Sequence, residues 1–285
     1  MVGKLHDWSY SDSCSFQECP KAFNLSSTRR RGASKDYLGS VTYGSLTGLA
    51  VHNSIQQEID AWSHGRRIDV LRAERAGEAF VREVWSNAQS RILDVKNGVP
   101  LSSLSLEKVV FLTRLRIRDF VHLVWPRFRG HSYILHETTK SFGVGDVRVW
   151  VRVDLCTRDV DGRLVLTDWK TGTIGPQDVN GMQTGVYSLW AVESLHESPE
   201  NILSQLVSLR TCEFQQRWVS LDDLSRVRAR ILEEVHDWEQ RLEKNDYPAS
   251  PSPPRCLSCA FLRLCQEGQS ALASETSLET VGYST

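Results

Sequence analysis

The sequence predicts an α/β fold in which a mixed central β-sheet is flanked by helices. The clearest sign of a sheet is the segment 147–153, where valine occupies every second position. That period of two is typical of a half-buried strand. Amphipathic helices are predicted on both sides of this segment, over 105–124 and 222–243. Helices before and after a sheet-forming region indicate a layered α/β core.

The helices before the sheet are predicted from their apolar spacing and from the residues that end them. Trp125-Pro126 is expected to end the third long helix, because proline disfavours a helical residue before it. Arg29, Arg30 and Arg31 are expected to lie in a basic loop. The predicted helices cover a short segment within 9–25, which ends near Cys19-Pro20, and the longer segments 45–63, 66–96 and 105–124.

The segment 131–169 is predicted to form the sheet, since it is rich in Val, Tyr, Phe and Thr. Asp161-Gly162 is a hairpin turn signal, so residues 146–170 are predicted to form one β-hairpin. The tail 267–285, rich in Ser, Thr, Glu and Gly, is predicted to be disordered. The remaining predicted elements are a helix over 177–195, strands over 202–210 and 213–219, and the helix 222–243.

The charge balance argues against a protein that coats DNA over a broad positive surface. The chain has 285 residues, with 34 Lys and Arg against 35 Asp and Glu, for a net charge of -1. Any DNA site is therefore expected to be a local basic groove. The sequence contains neither an apolar membrane span nor a signal-peptide core, so we expect a cytoplasmic protein without membrane contact.

The sharpest chemical pattern is a pair of aspartates with a lysine. The predicted hairpin brings Asp154 near Asp168, and two such carboxylates can share Mg²⁺ or Mn²⁺. Lys170 lies two residues after Asp168, so both side chains point to one face of a strand. A cation there can orient water and offset charge on a phosphate. The alternative is an exposed Asp-x-Lys ion pair at a strand end.

Three further residues are candidates for the same site. His52 follows Gly48 by one turn of a predicted helix, although a lone histidine is more often a core or surface residue than a ligand. Gln183 and Tyr187 are four residues apart, so they share one helix face and could reach a phosphate or a base. For Tyr187, ordinary helix packing is the simpler alternative.

The cysteine spacing predicts a metal or cluster site. Cys256-x2-Cys259-x5-Cys265 needs a fourth thiolate, and Cys19, which precedes a proline, is the best candidate. A reducing compartment favours such a site over disulfides. Spacing alone leaves structural zinc and an iron–sulfur cluster both open. Cys156 and Cys212 lie in or near predicted strands and are more simply core residues. Cys14 is left over.

The ordered set of these residues resembles the motif series of RecB-type nucleases in the PD-(D/E)XK superfamily. It is similar in particular to the Cas4, AddB and Dna2-like branch. The resemblance covers 8–266, and Val151 departs from it because the family commonly has glycine there. The segments that carry it are Trp8-Ser-Tyr-Ser11, Phe16-x2-Cys19-Pro20-Lys21, Gly48-x3-His52, Asp154, Asp168-x-Lys170 and Gln183-x3-Tyr187.

The resemblance implies a role for each matched residue. His52, Asp154, Asp168 and the Trp169 carbonyl would bind the metal, and Lys170 would be the catalytic lysine. The other implied roles are DNA contact for Gln183 and Tyr187, an upstream acid of less defined role for Glu137, and a [4Fe–4S] cluster, rather than zinc, on Cys19, Cys256, Cys259 and Cys265.

The function implied is a Mg²⁺- or Mn²⁺-dependent DNA exonuclease or end-processing nuclease that prefers single strands or free ends. Its fold would be one restriction-endonuclease-like domain over 1–266, with the cluster joining its N- and C-terminal parts. One alternative is a nuclease subunit of a CRISPR-adaptation, recombination or defence complex, with Cas1/Cas2-like or helicase partners. Another is a cluster-bearing DNA-binding protein with weak catalysis. No Walker motif is present.

Overall fold

The computed structural model describes residues 6–30, 41–88, 92–93, 95–96, 99–100, 105–175, 178, 181–257 and 259–281. Its helices are α1 Tyr10–Glu18, α2 Pro20–Arg30, α3 Tyr43–Ser63, α4 Val70–Ala88, α5 Leu106–Asp119, α6 Met182–Leu195, α7 Leu221–Lys244, α8 Pro253–Leu257 and α9 Gln266–Val281. Its strands are β1 His6–Ser9, β2 Val41–Thr42, β3 Ile92–Leu93, β4 Val95–Lys96, β5 Val99–Pro100, β6 Ser132–Leu135, β7 Thr138–Val144, β8 Val147–Val153, β9 Leu155–Arg158, β10 Leu164–Lys170, β11 Ile202–Ser208 and β12 Phe214–Trp218.

The main correction to the predicted fold is that the strands form two principal mixed sheets instead of one. The first has the order β1-β8-β7, and the second has the order β12-β11-β10-β9-β6. The predicted hairpin 146–170 is therefore divided, because β8 pairs with β7 and β1, and only β9 pairs with β10. The alternation in β8 correctly predicts a strand, but a period of two carries no information about which strand is its neighbour.

Asp154 lies at the break between the two sheets, directly after β8 and before β9. In the antiparallel β9–β10 pair, Leu155 is opposite Thr167. The next position in that register places Asp154 beside Asp168. The predicted neighbourhood of the two aspartates therefore holds, although the hairpin that creates it is shorter than expected.

The helix α6 connects β10 to the parallel strand β11 and packs against α7. Gly185 allows this contact, since a Cβ atom at that position would lie 2.6 Å from Val227 Cγ2. Both helices bury apolar residues in the same core as β8. The crossover therefore holds the inner face of α6 against the end of β10, where Asp168 and Lys170 lie.

The helices α3, α4 and α5 pack together in one layer, in which α4 and α5 hold α3 in place. Gly77 of α4 packs closely here, because an added Cβ would lie 2.6 Å from Ile117 Cδ1 and 2.9 Å from Ser54 Oγ. Glu74 is buried at 2% exposure and is bound by Arg114 and Arg118. Because its charge is paired, this buried carboxylate is compatible with the core.

Two predicted helices have different ends in the structure. The segment 66–96 forms a helix only from Val70 to Ala88, because the Asp69 carboxylate accepts a bond from Arg72 N–H and caps the start. The β-branched residues Ile92 and Val95 then form short strands. The segment 105–124 is α-helical only as far as Asp119, and a π-helical turn follows.

The N-terminal segment packs beside the first sheet and is held by α7. Trp8 is completely buried, and its indole N–H donates to Glu234 Oε2 at 3.0 Å. Gln17 Nε2 donates to Glu234 Oε1 at 2.7 Å. Arg29 and Arg30 end α2 instead of lying in a loop, and Arg31 is outside the described residues.

In the tail, where the composition predicts disorder, the structure has the helix α9, which ends at Val281. Ala271, Leu272 and Ala273 favour helix. Residues 282–285 are outside the described part of the chain. Within the described residues, no helix combines the length and the apolar character that crossing a membrane requires.

Candidate metal centre and cysteine pocket

Three charged side chains meet where β10 ends beside the break between the sheets. Lys170 Nζ is 2.7 Å from Asp168 Oδ2. The backbone N–H of Trp169 donates to Asp154 Oδ2 at 2.7 Å. Asp154 and Asp168 are 8% and 4% exposed. Asp168 is therefore buried while its partner Lys170 is 37% exposed, which distinguishes the pair from an ordinary surface ion pair.

Gln183 and Tyr187 of α6 contact the same carboxylate. Gln183 Nε2 donates to Asp168 Oδ1 at 2.8 Å, and Lys170 Nζ donates to Gln183 Oε1 at 2.8 Å. The Tyr187 hydroxyl lies 3.2 Å from Asp168 Oδ1 and 3.0 Å from the Arg152 carbonyl oxygen. Tyr187 is buried. The shared helix face that was predicted is thus turned toward Asp168 and Lys170.

On the other side of Asp154, His52 of α3 and Glu137 approach its carboxylate. His52 Nδ1 is 3.8 Å from both Glu137 Oε1 and Asp154 Oδ2. One possible ligand atom from each of the three side chains lies within 4.8 Å of the others, a spacing that one metal ion can bridge. Arg152 Nε is 2.6 Å from Glu137 Oε2. The arginine thus holds one carboxylate oxygen while the other faces His52.

Gly48 allows α3 to approach the end of β10. A Cβ atom at this position would lie 3.2 Å from Thr171 Oγ1, directly after Lys170. Such a distance is tight for an ordinary carbon–oxygen contact, so a larger residue would push α3 outward. His52 lies one helical turn later on the same side. The Gly-x3-His spacing therefore has a structural reason in this chain.

The electrostatics of the centre favour a bound cation. Burial, reinforced by the negative charge of Asp168, raises the pKa of Asp154 to about 8. Burial alone would lower the pKa of His52, but the nearby carboxylates of Glu137, Asp154 and Asp168 outweigh it and raise that pKa. A carboxylate whose pKa is raised by burial and by neighbouring negative charge marks a site where an added positive charge is favourable.

The donor set fits a hard divalent ion. Asp168 Oδ2 is buried and accepts no hydrogen bond among the described residues, although Lys170 Nζ lies near it. Three carboxylates and one imidazole suit Mg²⁺ or Mn²⁺ better than a soft metal. When bound, such an ion supplies Lewis acidity and lowers the pKa of a coordinated water.

Glu137, for which the sequence predicts only a less defined role, lies within the metal centre beside His52 and Asp154. It lies between β6 and β7 with a φ of 45°, in the left-handed region that is costly for a residue with a Cβ. Its N–H donates to the Val153 carbonyl oxygen at 2.9 Å, which fixes that backbone. No motif spacing predicts this position. The signal that the sequence offers is the family resemblance, which implies an upstream acid here without defining its role.

The four predicted cysteines line one cavity of about 250 Å³. Its walls come from both ends of the chain, since Cys19 lies between α1 and α2, and the other three lie in the 256–265 segment. Cys156 is fully buried in the core, as predicted, and Cys212 lies outside this cavity. The cavity therefore brings together the four cysteines that the sequence singles out.

Backbone N–H groups point at three of the four sulfur atoms. Ser250 N–H donates to Cys19 Sγ at 3.5 Å, Phe261 N–H to Cys259 Sγ at 3.4 Å, and Gly268 N–H to Cys265 Sγ at 3.4 Å. Such bonds stabilise thiolates rather than neutral thiols. An added Cβ at Gly268 would lie 3.3 Å from Cys256 Sγ, so glycine lets α9 approach the sulfurs. The pocket therefore fits a metal or cluster held by four thiolates.

A match to a protein family identifies the superfamily of this chain. Residues 7–266 match the model of the PD-(D/E)XK nuclease superfamily. The chain belongs to this superfamily. No curated protein matches the chain. Among solved structures, the chain is similar to one titled "Crystal structure of SSO0001". The similarity covers 87% of this chain and 94% of that one, with 11% identity and a TM-score of 0.30.

Membership in the PD-(D/E)XK superfamily indicates a metal-dependent nuclease that acts on nucleic acid. The two mixed sheets flanked by helices are consistent with a PD-(D/E)XK core. The match also includes every residue of the metal centre and all four pocket cysteines, because it runs from before Cys19 to just after Cys265.

Replacing His52 with alanine should weaken Mn²⁺ binding without unfolding this PD-(D/E)XK protein. The carboxylates of Glu137 and Asp154 would remain, and His52 is not part of the apolar core. Loss of one ligand is expected to reduce metal affinity by at least about tenfold. Calorimetric titration with Mn²⁺ measures this, and His122→Ala on an exposed helical turn is the control. Equal affinities in wild type and His52→Ala would remove His52 from the ligand set.

Proposed function

We propose that this protein is a divalent-metal-dependent DNA exonuclease whose N- and C-terminal segments are joined by a [4Fe–4S] cluster. The observation that carries the proposal is the convergence of His52, Glu137 and Asp154 with the Asp168–Lys170 pair. These groups come from α3, the β6–β7 junction, the break between the sheets and the end of β10. A purely structural ion pair would not require so many separate elements to converge.

In this proposal, Mg²⁺ or Mn²⁺ is bound by His52, Asp154, Asp168 and the Trp169 carbonyl, with Glu137 as a further ligand. Lys170 acts as the catalytic lysine. Its side chain is 37% exposed, so the ammonium group can face a phosphate while it remains beside Asp168. A cation at that place stabilises negative charge that develops on the scissile phosphate and orients the attacking water.

Gln183 and Tyr187 have different proposed roles because their exposure differs. Gln183 is half-buried and bridges Lys170 and Asp168, so it can exchange one of these bonds for a phosphate oxygen of DNA. Tyr187 is 7% exposed and its hydroxyl is engaged with Asp168 and the Arg152 carbonyl. Tyr187 is therefore proposed to position Asp168, and DNA contact is proposed for Gln183.

The geometry of the cysteine pocket favours an iron–sulfur cluster over zinc. A tetrahedral Zn²⁺ with bonds of about 2.3 Å holds its sulfurs about 3.8 Å apart. Among the described residues, no three cysteine sulfurs lie within 4.8 Å of one another, whereas one ligand atom each of His52, Glu137 and Asp154 do. The four cysteines line a cavity of about 250 Å³, which has room for a larger inorganic core than a single ion.

The substrate is proposed to be DNA with a free end, preferably single-stranded, because we propose that the N-terminal segment covers the site. Tyr10, at the start of α1, packs against the core that contains Tyr187, and α1 contacts α6. Burial, the neighbouring Cys14 and the negative charge of Asp168 raise the pKa of Tyr10 to about 12. A net charge of -1 offers no broad surface for a duplex. A covered site admits a strand more easily by threading from an end.

We expect the protein to degrade linear single-stranded DNA while a closed circle of the same sequence persists. The comparison is made in Mn²⁺ at one salt concentration, with gel analysis over time. The control is the same circle after linearisation by a restriction enzyme at a short annealed duplex, which restores an end without changing the sequence. Equal rates on circle and linear strand would reject threading. Absence of cleavage on every substrate would favour a DNA-binding protein with weak catalysis.

A further inference from the structure

Glu137 is fixed at both ends by neighbouring residues of one strand, β8. Its backbone N–H donates to the Val153 carbonyl oxygen at 2.9 Å, and Arg152 Nε lies 2.6 Å from its carboxylate oxygen Oε2. The bend that carries Glu137 is stiffened locally, since the Thr138 hydroxyl donates to the His136 carbonyl oxygen at 2.9 Å. The side chain of Glu137 is 8% exposed, so surrounding atoms limit the rotamers that are open to it.

Arg152 is itself held from the Asp168 side of the metal centre. It lies on β8 two residues before Asp154, and its carbonyl oxygen accepts a hydrogen bond from the Tyr187 hydroxyl at 3.0 Å. The same hydroxyl is 3.2 Å from Asp168 Oδ1. The side chain of Arg152 is 57% exposed, so it reaches the buried Glu137 from the rim of the centre. A chain of contacts therefore runs from Asp168 through Tyr187 and Arg152 to Glu137.

The contact with Arg152 leaves one oxygen of Glu137 for a cation. The guanidinium holds Oε2, whereas Oε1 is the oxygen that lies 3.8 Å from His52 Nδ1. Glu137 is therefore arranged to bind an ion through a single oxygen. Without Arg152, both oxygens would be available, and the carboxylate could bind an ion bidentately.

Bidentate carboxylates favour Ca²⁺ over smaller ions. Ca²⁺ takes about six to eight oxygen ligands at about 2.3–2.6 Å in flexible geometry, and carboxylates often give it both oxygens. Mg²⁺ requires a near-octahedral shell at about 2.0–2.1 Å, and Mn²⁺ shares the octahedral preference. The number and flexibility of the oxygens that a site offers thus decide between Ca²⁺ and the smaller ions.

We propose that Arg152 determines the metal specificity of the centre, because it keeps Glu137 monodentate and so favours Mg²⁺ or Mn²⁺ over Ca²⁺. This role rests on the proposed function, since it needs an ion at His52, Glu137 and Asp154. Arg152 acts through Glu137 and is a positioning residue. Its positive charge opposes all divalent ions to a similar extent, whereas its bond to Oε2 changes the ratio of the affinities for two ions. The ratio therefore separates positioning from charge.

The test measures metal binding and needs no cleavage. Calorimetric titration of the full-length, anaerobically purified protein with Mn²⁺ and with Ca²⁺ gives two dissociation constants, whose ratio is the readout. We expect wild type to prefer Mn²⁺. In Arg152→Ala, Oε2 becomes available, and the preference for Mn²⁺ should fall by about tenfold, as for loss of a residue that orients a metal ligand.

Arg152→Gln distinguishes the bond from the charge. A glutamine carries its amide nitrogen as many bonds from Cα as arginine carries Nε, so this variant keeps a donor for Glu137 Oε2 and removes the charge. Its preference for Mn²⁺ should stay close to that of wild type. Arg148→Ala is the matched control, because Arg148 lies on the same face of β8 but binds Asp7 at 2.6 Å, outside the metal centre.

Two results would overturn the role of Arg152 and leave the metal centre in place. One is an unchanged preference in Arg152→Ala, and the other is an equal loss of preference in Arg152→Ala and Arg152→Gln. A wild-type protein that binds Ca²⁺ as tightly as Mn²⁺ would also overturn it, which covers the case in which Arg152→Ala does not fold. A wild-type protein that binds neither ion would reject the proposed nuclease centre together with this role.

Discussion

Asp168→Asn is expected to abolish metal-dependent cleavage of DNA while leaving the fold and the cysteine pocket intact. The change removes the charge of a proposed ligand but keeps the shape of the side chain and its bond from Gln183. It also removes the negative charge that, together with burial, raises the pKa of Asp154. The relief of this repulsion partly offsets the stability lost with the Lys170 ion pair. We expect the rate to fall by at least about 100-fold, and the melting temperature to change by about 3 °C or less.

Lys170→Ala should give a similar loss of rate, because the same developing charge on the phosphate loses its nearest cation. The measurement is single-turnover hydrolysis of a linear oligonucleotide in Mn²⁺, with melting curves for each variant. Matched controls are Asp161→Asn, an exposed aspartate in the β9–β10 turn, and Lys140→Ala on β7. Wild-type rates in both active-site variants would show that Asp168 and Lys170 do not take part in the reaction.

The part of the metal centre that could be predicted from the sequence is the part set by local geometry. Asp154 and Asp168 are adjacent because a turn returns the chain on itself, and the turn signal at Asp161-Gly162 is local. Lys170 faces the same side as Asp168 because side chains alternate along a strand. Gln183 and Tyr187 share a face because helices repeat every 3.6 residues. Each of these inferences needs only short-range periodicity.

The features that could not be predicted depend on contacts between distant elements. Val147–Val153 alternates like any half-buried strand, and its parallel partner β1 comes from the N-terminal end of the chain. The division into two sheets at Asp154 follows from that pairing. Glu137 reaches the centre only because the chain between β6 and β7 adopts a positive φ and its N–H bonds to Val153. No spacing in the sequence encodes either arrangement.

The cysteine pocket combines a local pattern with a contact between distant parts of the chain. A cluster of three cysteines within ten residues is a local pattern, but the fourth ligand has to come from elsewhere. Cys19 is recognisable by the proline after it, and the structure places it in the same cavity. Lys21 then adds a second tie, since its N–H donates to the Pro248 carbonyl oxygen at 3.2 Å and its ammonium group lies 2.7 Å from Glu267.

Replacing Cys19 or Cys256 with alanine should bleach the visible absorbance of the protein and lower its melting temperature by on the order of 10 °C. A four-ligand site fails when one ligand is lost. By the chain-entropy model, the link that closes so long a loop is worth about 5 kcal/mol at most. The variants should still fold, because Phe16 and Phe23 pack against Trp238 independently of the pocket, with ring centroids 5.5 and 5.0 Å away.

Cys156→Ala and Cys212→Ala are the controls, and both should keep the colour. Cys156 lies in the apolar core and Cys212 lies outside the cavity, so neither change removes a ligand. Iron, sulfide and zinc are measured on anaerobically purified protein. Zinc without iron would overturn the cluster and leave the four-thiolate link between the chain ends. Colourless, metal-free wild type with an unchanged melting temperature in Cys19→Ala would overturn both, since the pocket would then hold nothing that contributes to stability.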